Sequence, residues 1–353
     1  MPLSQNNIEK ISLQVIKVLF SRFESFPEDA SSNRNAPFHS AFLHAFADKF
    51  QNKVSDIPFF ISLSSWLQGL NTTLGQTFFE NVAHILCDGE KREYTSKKLG
   101  NLHIDRKQKE NINTIITELS TGKVLPNLAN ENQNVFIDDT TEPVSAIDFS
   151  ADVYIDDGTQ ITAIELKSVR PNSGEMRGEK TKILEGKAAL YKFFPGKAIS
   201  FFIGFPFDPT NPPAQETQHN KTRFLSSIIN MNKYFAQDEV LLAGELWDLL
   251  SGDVGTMQQI LQIINTIATT EFLNKYDYIN NHQNKSQDLE TYKNRLTEWN
   301  LLSEVELLDN DVAIKEKIGT NKKQTKIYNQ LVFRDGEYNI ERYYSLKQLL
   351  HQE

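Results

Sequence analysis

Asp152, Glu165 and Lys167 are the residues of this chain whose types and spacing could do chemistry. Glu165 and Lys167 stand at the end of the apolar run ITAIELKS (161–168), where two ionisable groups are costly unless something uses them. Side chains alternate along a strand, so these two point to one face and Leu166 to the other. The segment SADVYI precedes them, and Asp156-Asp157-Gly158-Thr159 between the two runs has tight-turn chemistry. A hairpin turning at 156–159 puts Ile155 near Gln160 and Asp152 beside Ala163 or Ile164. Strand twist then carries the Asp152 carboxylate towards Glu165 and Lys167. Two carboxylates and one ammonium make a small, hard, oxygen-rich site of the kind Mg²⁺ takes. Such a site suits phosphodiester hydrolysis, with the lysine orienting or helping to deprotonate water and adding positive charge. The same pattern also fits a plain ion pair on a sheet edge.

The elements that would position these groups read as an α/β core. After the hairpin, MRGEKTKILEGKAALYKFF (176–194) predicts a helix stopped by Pro195-Gly196, and AISFFIGFPF (198–207) a buried strand. VFIDD (135–139) reads as a further strand. Upstream, IEKISLQVIKVLFSRF and LGQTFFENVAHILCDG (74–89) have helical periodicity, with SSNRNAP (31–37) as a loop. Residues 91–110 read as a loop or an exposed helix. Downstream, TRFLSSIINMNKYF, EVLLAGELWDLL and TMQQILQIINTIATTEFL read as helices. A small hairpin around Arg334-Asp335-Gly336-Glu337 and a last helix, SLKQLLHQ, follow. The expected division is a helical region over 1–70, a catalytic core over 71–220 and a mainly helical region over 221–353, packed as one unit.

The chain has 353 residues, 24% of them charged, a net charge of −9 and one cysteine, Cys87. It reads as globular, without an intrachain disulfide, and in keeping with a reducing cytosol. The N-terminus shows no secretory signal. Residues 57–79 carry no charge, but Pro58, Gln68, Asn71, Thr72 and Gln76 interrupt them, so no membrane span is expected. The acidic balance argues mildly against a nucleic-acid partner, yet the distribution argues the other way. Nine acidic residues and no Lys or Arg lie from Val124 to Leu166; seven basic and three acidic residues follow from Lys167 to Lys192. From Lys317 to Arg334 there are five basic residues and no acidic one. No HxH, HxxxH, HExxH, P-loop or nucleophile-elbow pattern is present, which removes zinc hydrolases, P-loop motors and serine hydrolases from consideration.

The aspartate in SADVYI followed by IELK resembles the PD-(D/E)xK nuclease signature. The stretch AIELKSVRPNSGEMRGEKTKILEGKAAL with SFFIGFPFDP is further similar to a family of type II restriction endonucleases, over residues 140–210. No Pro-Asp dipeptide precedes the aspartate, so the first half of the motif is relaxed. Asp152, thirteen residues before Glu165, is the preferred metal ligand, and Asp148, seventeen before it, is the second choice. The resemblance implies the mixed-sheet fold of these nucleases, a further ligand in Glu80 on the preceding helix, and the Leu166 carbonyl as another. It also implies a homodimer cutting both strands of a short palindromic double-stranded DNA site, with GG and CC halves around an interruption. The restriction reading brings a cognate DNA methyltransferase and the bacterial cytoplasm with it. A repair or recombination nuclease of the same superfamily, and a non-catalytic DNA-binding protein, are the alternatives.

Base and phosphate contacts are expected from the segment after the catalytic strand: Arg170, Asn172, Arg177, Glu179, Lys180 and Lys182. Lys322 and Lys323, in the basic patch NKKQTKIYNQ (321–330), are expected phosphate contacts, and KREYTSKK (91–98) is a weaker patch.

Overall fold

The structure, a computed structural model, describes residues 2–27, 43, 57–94, 102–138, 142–167, 175–212, 215 and 217–351. The chain divides into two compact units: 1–3 with 79–259, and 4–78 with 260–353.

The first unit is built on strands β1 (Glu90–Tyr94), β2 (His103–Asp105), β3 (Pro143–Ser145), β4 (Phe149–Asp156), β5 (Gln160–Leu166), β6 (Ala198–Phe205) and β7 (Val240–Leu242). Five of them form one mixed sheet in the order β1-β4-β5-β6-β7, and β2 pairs with β3 apart from it. β1, β4 and β5 are antiparallel neighbours, whereas β5, β6 and β7 run parallel. Parallel neighbours need a crossover, and the helix Glu175–Phe193 supplies the one between β5 and β6. This is the restriction-endonuclease-like α/β architecture that the sequence implies.

The β4–β5 hairpin closes on Asp157, whose Oδ1 accepts from the backbone N–H groups of Thr159 (2.9 Å) and Gln160 (2.7 Å). Gly158 takes φ +94, open to glycine without strain. These bonds move the turn one residue along the chain relative to the sequence reading. Ile155 therefore faces Thr162, and Val153 faces Ile164. One rung further, Asp152 falls opposite Glu165 rather than beside Ala163 or Ile164.

The Glu175–Phe193 helix is buried on every side from Ile183 to Leu190, because the sheet covers one face and other helices the rest. Gly186 allows the closest approach. A Cβ there would lie 2.7 Å from Phe201 Cε1 on β6 and 3.3 Å from Phe149 Cε2 on β4. Asp105 ends β2 and starts the helix Arg106–Thr121, its N–H donating to Gln108 Oε1 at 2.9 Å in capping-box fashion.

Several local readings change, among them TRFLSSIINMNKYF, which is two helices, Lys221–Ser227 and Met231–Tyr234, rather than one. Residues 90–94 pair with β4 as an edge strand, where a loop or helix was expected. Val135 ends a helix, Leu128–Val135, capped by Asn127, whose side chain accepts from Asn130 N–H, and no strand runs through Val135–Asp138. Val240–Leu242 is β7 and only Gly244–Ser251 is helical, since a short apolar run alone does not separate strand from helix.

Among its described residues the second unit is helical apart from a hairpin of β8 (Phe333–Arg334) and β9 (Glu337–Tyr338). Asp335 and Gly336 take φ +50 and +78, the conformation that a two-residue turn between twisted strands needs. Trp299 is fully buried and stacks on Phe272 at 5.3 Å. Among the described residues no helix is long and apolar enough to cross a membrane.

Candidate active site

β4 and β5 bring their acidic residues together at the end of the hairpin. Leu166 N–H donates to Asp152 Oδ2 at 2.9 Å, so the carboxylate completes the ladder where backbone pairing stops. Burial and repulsion from Glu165 push the Asp152 carboxyl up to about 6, against the Leu166 N–H and Lys91, which pull it down. His84, on the helix Phe79–Cys87, holds the Asp152 carbonyl through Nε2 at 2.7 Å. Glu80 on the same helix binds Lys91 Nζ at 3.2 Å, and that ammonium is 3.7 Å from Asp152 Oδ1. Glu80 thus joins the cluster through a lysine of β1.

Lys167 continues β5, its N–H donating to the Gly204 carbonyl of β6 at 2.9 Å. Its ammonium lies 3.0 Å from Glu165 Oε1, 2.8 Å from Glu179 Oε1 and 3.9 Å from Glu175 Oε1. Burial disfavours the charge, but Glu165 and Glu179 outweigh it and hold the lysine pKa above its ordinary value. Lys182 Nζ lies 2.7 Å from Glu165 Oε2, an ion pair without hydrogen-bond geometry. Glu179 Oε2 is buried and accepts no hydrogen bond from the described residues.

Asp148, the second choice for a metal ligand, is exposed and precedes β4. Arg170 and Asn172 lie outside the described residues. Arg177 is exposed at the start of its helix, and Lys182 and Glu179 face the cluster just described. Lys180, expected at the DNA, is instead fully buried between Glu131 and Glu239. A helix packed on both faces has no solvent side at that position. Lys322 and Lys323 are exposed on the helix Lys322–Tyr328 of the second unit.

Sequence reasoning did not single out Lys91, His84 or Glu175, and it read Glu179 and Lys182 as DNA contacts. Glu179 follows Lys167 by twelve residues, with a stretch outside the described residues between them. Only the helix that returns to the sheet makes them neighbours.

Among the described residues no three His, Cys, Asp or Glu side chains form a ready-made metal cage. Two facing carboxylates are nonetheless what Mg²⁺ uses, since it keeps several waters and takes only one or two. The buried, mutually repelling pair Asp152 and Glu165 fits that donor set, with Glu165 Oε2 accepting no hydrogen bond from the described residues.

This is the fold and the acidic, lysine-bearing hairpin end of a PD-(D/E)xK nuclease. The HinfI type II restriction endonuclease family matches the chain over residues 3–268. The chain is also 43% identical to the type II restriction enzyme MjaII of Methanocaldococcus jannaschii, over 97% of its own length and 96% of that protein's. It belongs to the HinfI family of type II restriction endonucleases, site-specific deoxyribonucleases that act on double-stranded DNA.

The raised Asp152 pKa has a measurable consequence in the metal-free protein. A carboxyl whose folded pKa is about 6, against 3.8 for the free group, favours folding when protonated. Its contribution is complete below about pH 3.8 and is lost as pH rises through about 6. Above that, the ionised group is a burden of about 1–3 kcal/mol. In EDTA the Asp152→Asn variant should unfold at a higher temperature than wild type at pH 8, and the difference should shrink towards pH 4. A variant no more stable than wild type at pH 8 contradicts this.

Proposed function

We propose that this endonuclease hydrolyses both strands of a short palindromic DNA site with Mg²⁺ held by Asp152 and Glu165. The observation that carries the proposal is the placement of Asp152 opposite Glu165, with Lys167 Nζ 3.0 Å from Glu165 on the same strand end. The Leu166 carbonyl and Glu80 are the further ligands we assign, Glu80 by release from Lys91. A bound Mg²⁺ supplies charge neutralisation at the phosphate and a water of lowered pKa. Lys167 stays an ammonium between Glu165 and Glu179, so its part is to orient the attacking water and stabilise developing negative charge, not to take a proton. Asp152 and Glu165 are kept apart from bulk solvent, with side chains 17% and 7% exposed, which strengthens their hold on a cation.

Arg170, Asn172, Arg177 and Lys182 are the DNA contacts we assign near the cut. With a cation at Glu165, Lys182 would be free to contact a phosphate. A palindromic site pairs with a homodimer, since a twofold target matches a twofold protein. The sequence resemblance implies GG and CC halves for that site. A cognate methyltransferase sharing the cytoplasm protects the host copies of it.

Digestion of unmethylated phage DNA with Mg²⁺ or with EDTA tests the reading. Discrete fragments with Mg²⁺ and none with EDTA are expected, and their ends give the site. A smear, or cutting in EDTA, overturns it.

A further inference from the structure

The basic tract at 317–334 has a shape that its composition alone does not reveal. The helix Asp311–Ile318 ends at Gly319, which takes φ +49 and donates its N–H to Lys315 O at 3.0 Å. Thr320 and Asn321 complete the link, and Asn321 Oδ1 caps the next helix, Lys322–Tyr328, by accepting from Lys323 and Gln324 N–H at 3.1 and 3.2 Å. Ile314 and Ile318 of the first helix are buried with Leu307, Tyr343, Leu346 and Leu349. Ile327 and Tyr328 of the second pack on the same cluster. The Tyr328 hydroxyl donates to Asp311 Oδ1, closing the end of the second helix onto the start of the first. A seven-residue helix is unstable alone, so this packing is what fixes its direction.

The opposite face of the second helix is polar and basic. Lys322, Thr325, Lys326 and Asn329 are exposed at helical spacing, with Lys323 beside them. Lys315 and Lys347 nearby are spent on Asp311 and Glu306. Lys322, Lys323 and Lys326 make no ion pair with any described residue. No acidic residue occurs from Lys317 to Arg334, in a chain of net charge −9. Two short helices joined through a glycine, the second packed on the core by one face and basic on the other, follow the element order of a helix-turn-helix.

We propose that Asp311–Tyr328 is a helix-turn-helix that docks on duplex DNA, with Lys322, Thr325, Lys326 and Asn329 facing the groove. Ammonium groups suit phosphate oxygens and guanine edges, the carboxamide suits adenine, and the threonine methyl suits thymine. The inference rests on the chain acting on double-stranded DNA but is independent of how the DNA is cut. The endonuclease would thereby hold DNA with its helical unit as well as with its catalytic one.

Binding of a short fluorescein-labelled duplex to the full-length protein, in EDTA so that no cutting enters, tests this. Anisotropy titrations from about 50 to about 200 mM salt should show Kd raised about tenfold or more by Lys322→Glu with Lys326→Glu. The slope of log K against log salt should fall by about 0.9 for each phosphate that the variant no longer holds. Charge reversal at Lys10 and Lys123, exposed elsewhere, removes the same charge and serves as the control. Equal effects from the two pairs, or none from Lys322 and Lys326, overturn the proposal. If the reversed pair fails to fold, Lys322→Gln with Lys326→Gln gives the same two readings, and an unchanged slope there overturns it too. Failure of wild type to cut in Mg²⁺ would count against the catalytic reading alone.

Discussion

Lys167→Ala should cut DNA about a hundredfold to a thousandfold more slowly at saturating substrate while still binding a duplex. Removing one preorganised charge from a water-excluded site commonly costs a factor of 10² to about 10³. Lys167 is moreover the only cation of the cluster carried by the catalytic strand itself, 3.0 Å from Glu165. Its orientation depends on Glu179, 2.8 Å away on the following helix. Glu179→Gln leaves Glu165 as the closest carboxylate and should slow cutting by a smaller factor, about tenfold. Single-turnover rates and anisotropy on the same preparations decide the matter. A Lys167→Ala enzyme within tenfold of wild type would mean that the hydrolysis is done elsewhere.

The second large effect concerns stability. Lys180 is fully buried with its ammonium bonded to Glu131 and Glu239, and Lys187 beside it is held down to about 8 mainly by burial. Lys180→Ala leaves two buried carboxylates short of a partner, a change that costs about 3–5 kcal/mol. The urea midpoint should fall accordingly without a change in the slope. Adding Glu131→Gln and Glu239→Gln should recover much of the loss, because the charges that needed Lys180 are then gone. A Lys180→Ala protein of wild-type stability but weakened DNA binding would instead favour the surface role that the sequence suggests.

Much of the catalytic hairpin is legible in the sequence because its signals are local. Alternation in FSADVYID and QITAIEL marks the strands, and Asp157-Gly158 marks the turn. The one-residue shift of that turn is not legible, since it depends on which N–H groups Asp157 accepts from. It decides whether Asp152 faces Ala163 or Ile164, or Glu165. The partners of the lysines are less legible still. Lys180 and Lys182 stand two apart on one helix, and helical spacing says nothing of which is covered. Glu239 lies 59 residues from Lys180, and only the assembled fold brings it there. The edge strand at 90–94 is hidden for a different reason: EKREY is polar and exposed on its outer side, as sheet edges are. The helix-turn-helix is half legible, its basic run being plain and its burial of Ile314, Ile318 and Ile327 against distant residues being hidden.

The most direct test of the central claim is to locate the cation itself. Fe²⁺ replacing Mg²⁺, with ascorbate and peroxide, generates radicals that nick the polypeptide next to the bound ion. Nicks should cluster around residues 150–154 and 163–167, be suppressed by excess Mg²⁺ and be absent from the Asp152→Ala protein. Nicks confined to other parts of the chain, or persisting unchanged in the Asp152→Ala protein, would contradict a metal held by Asp152 and Glu165.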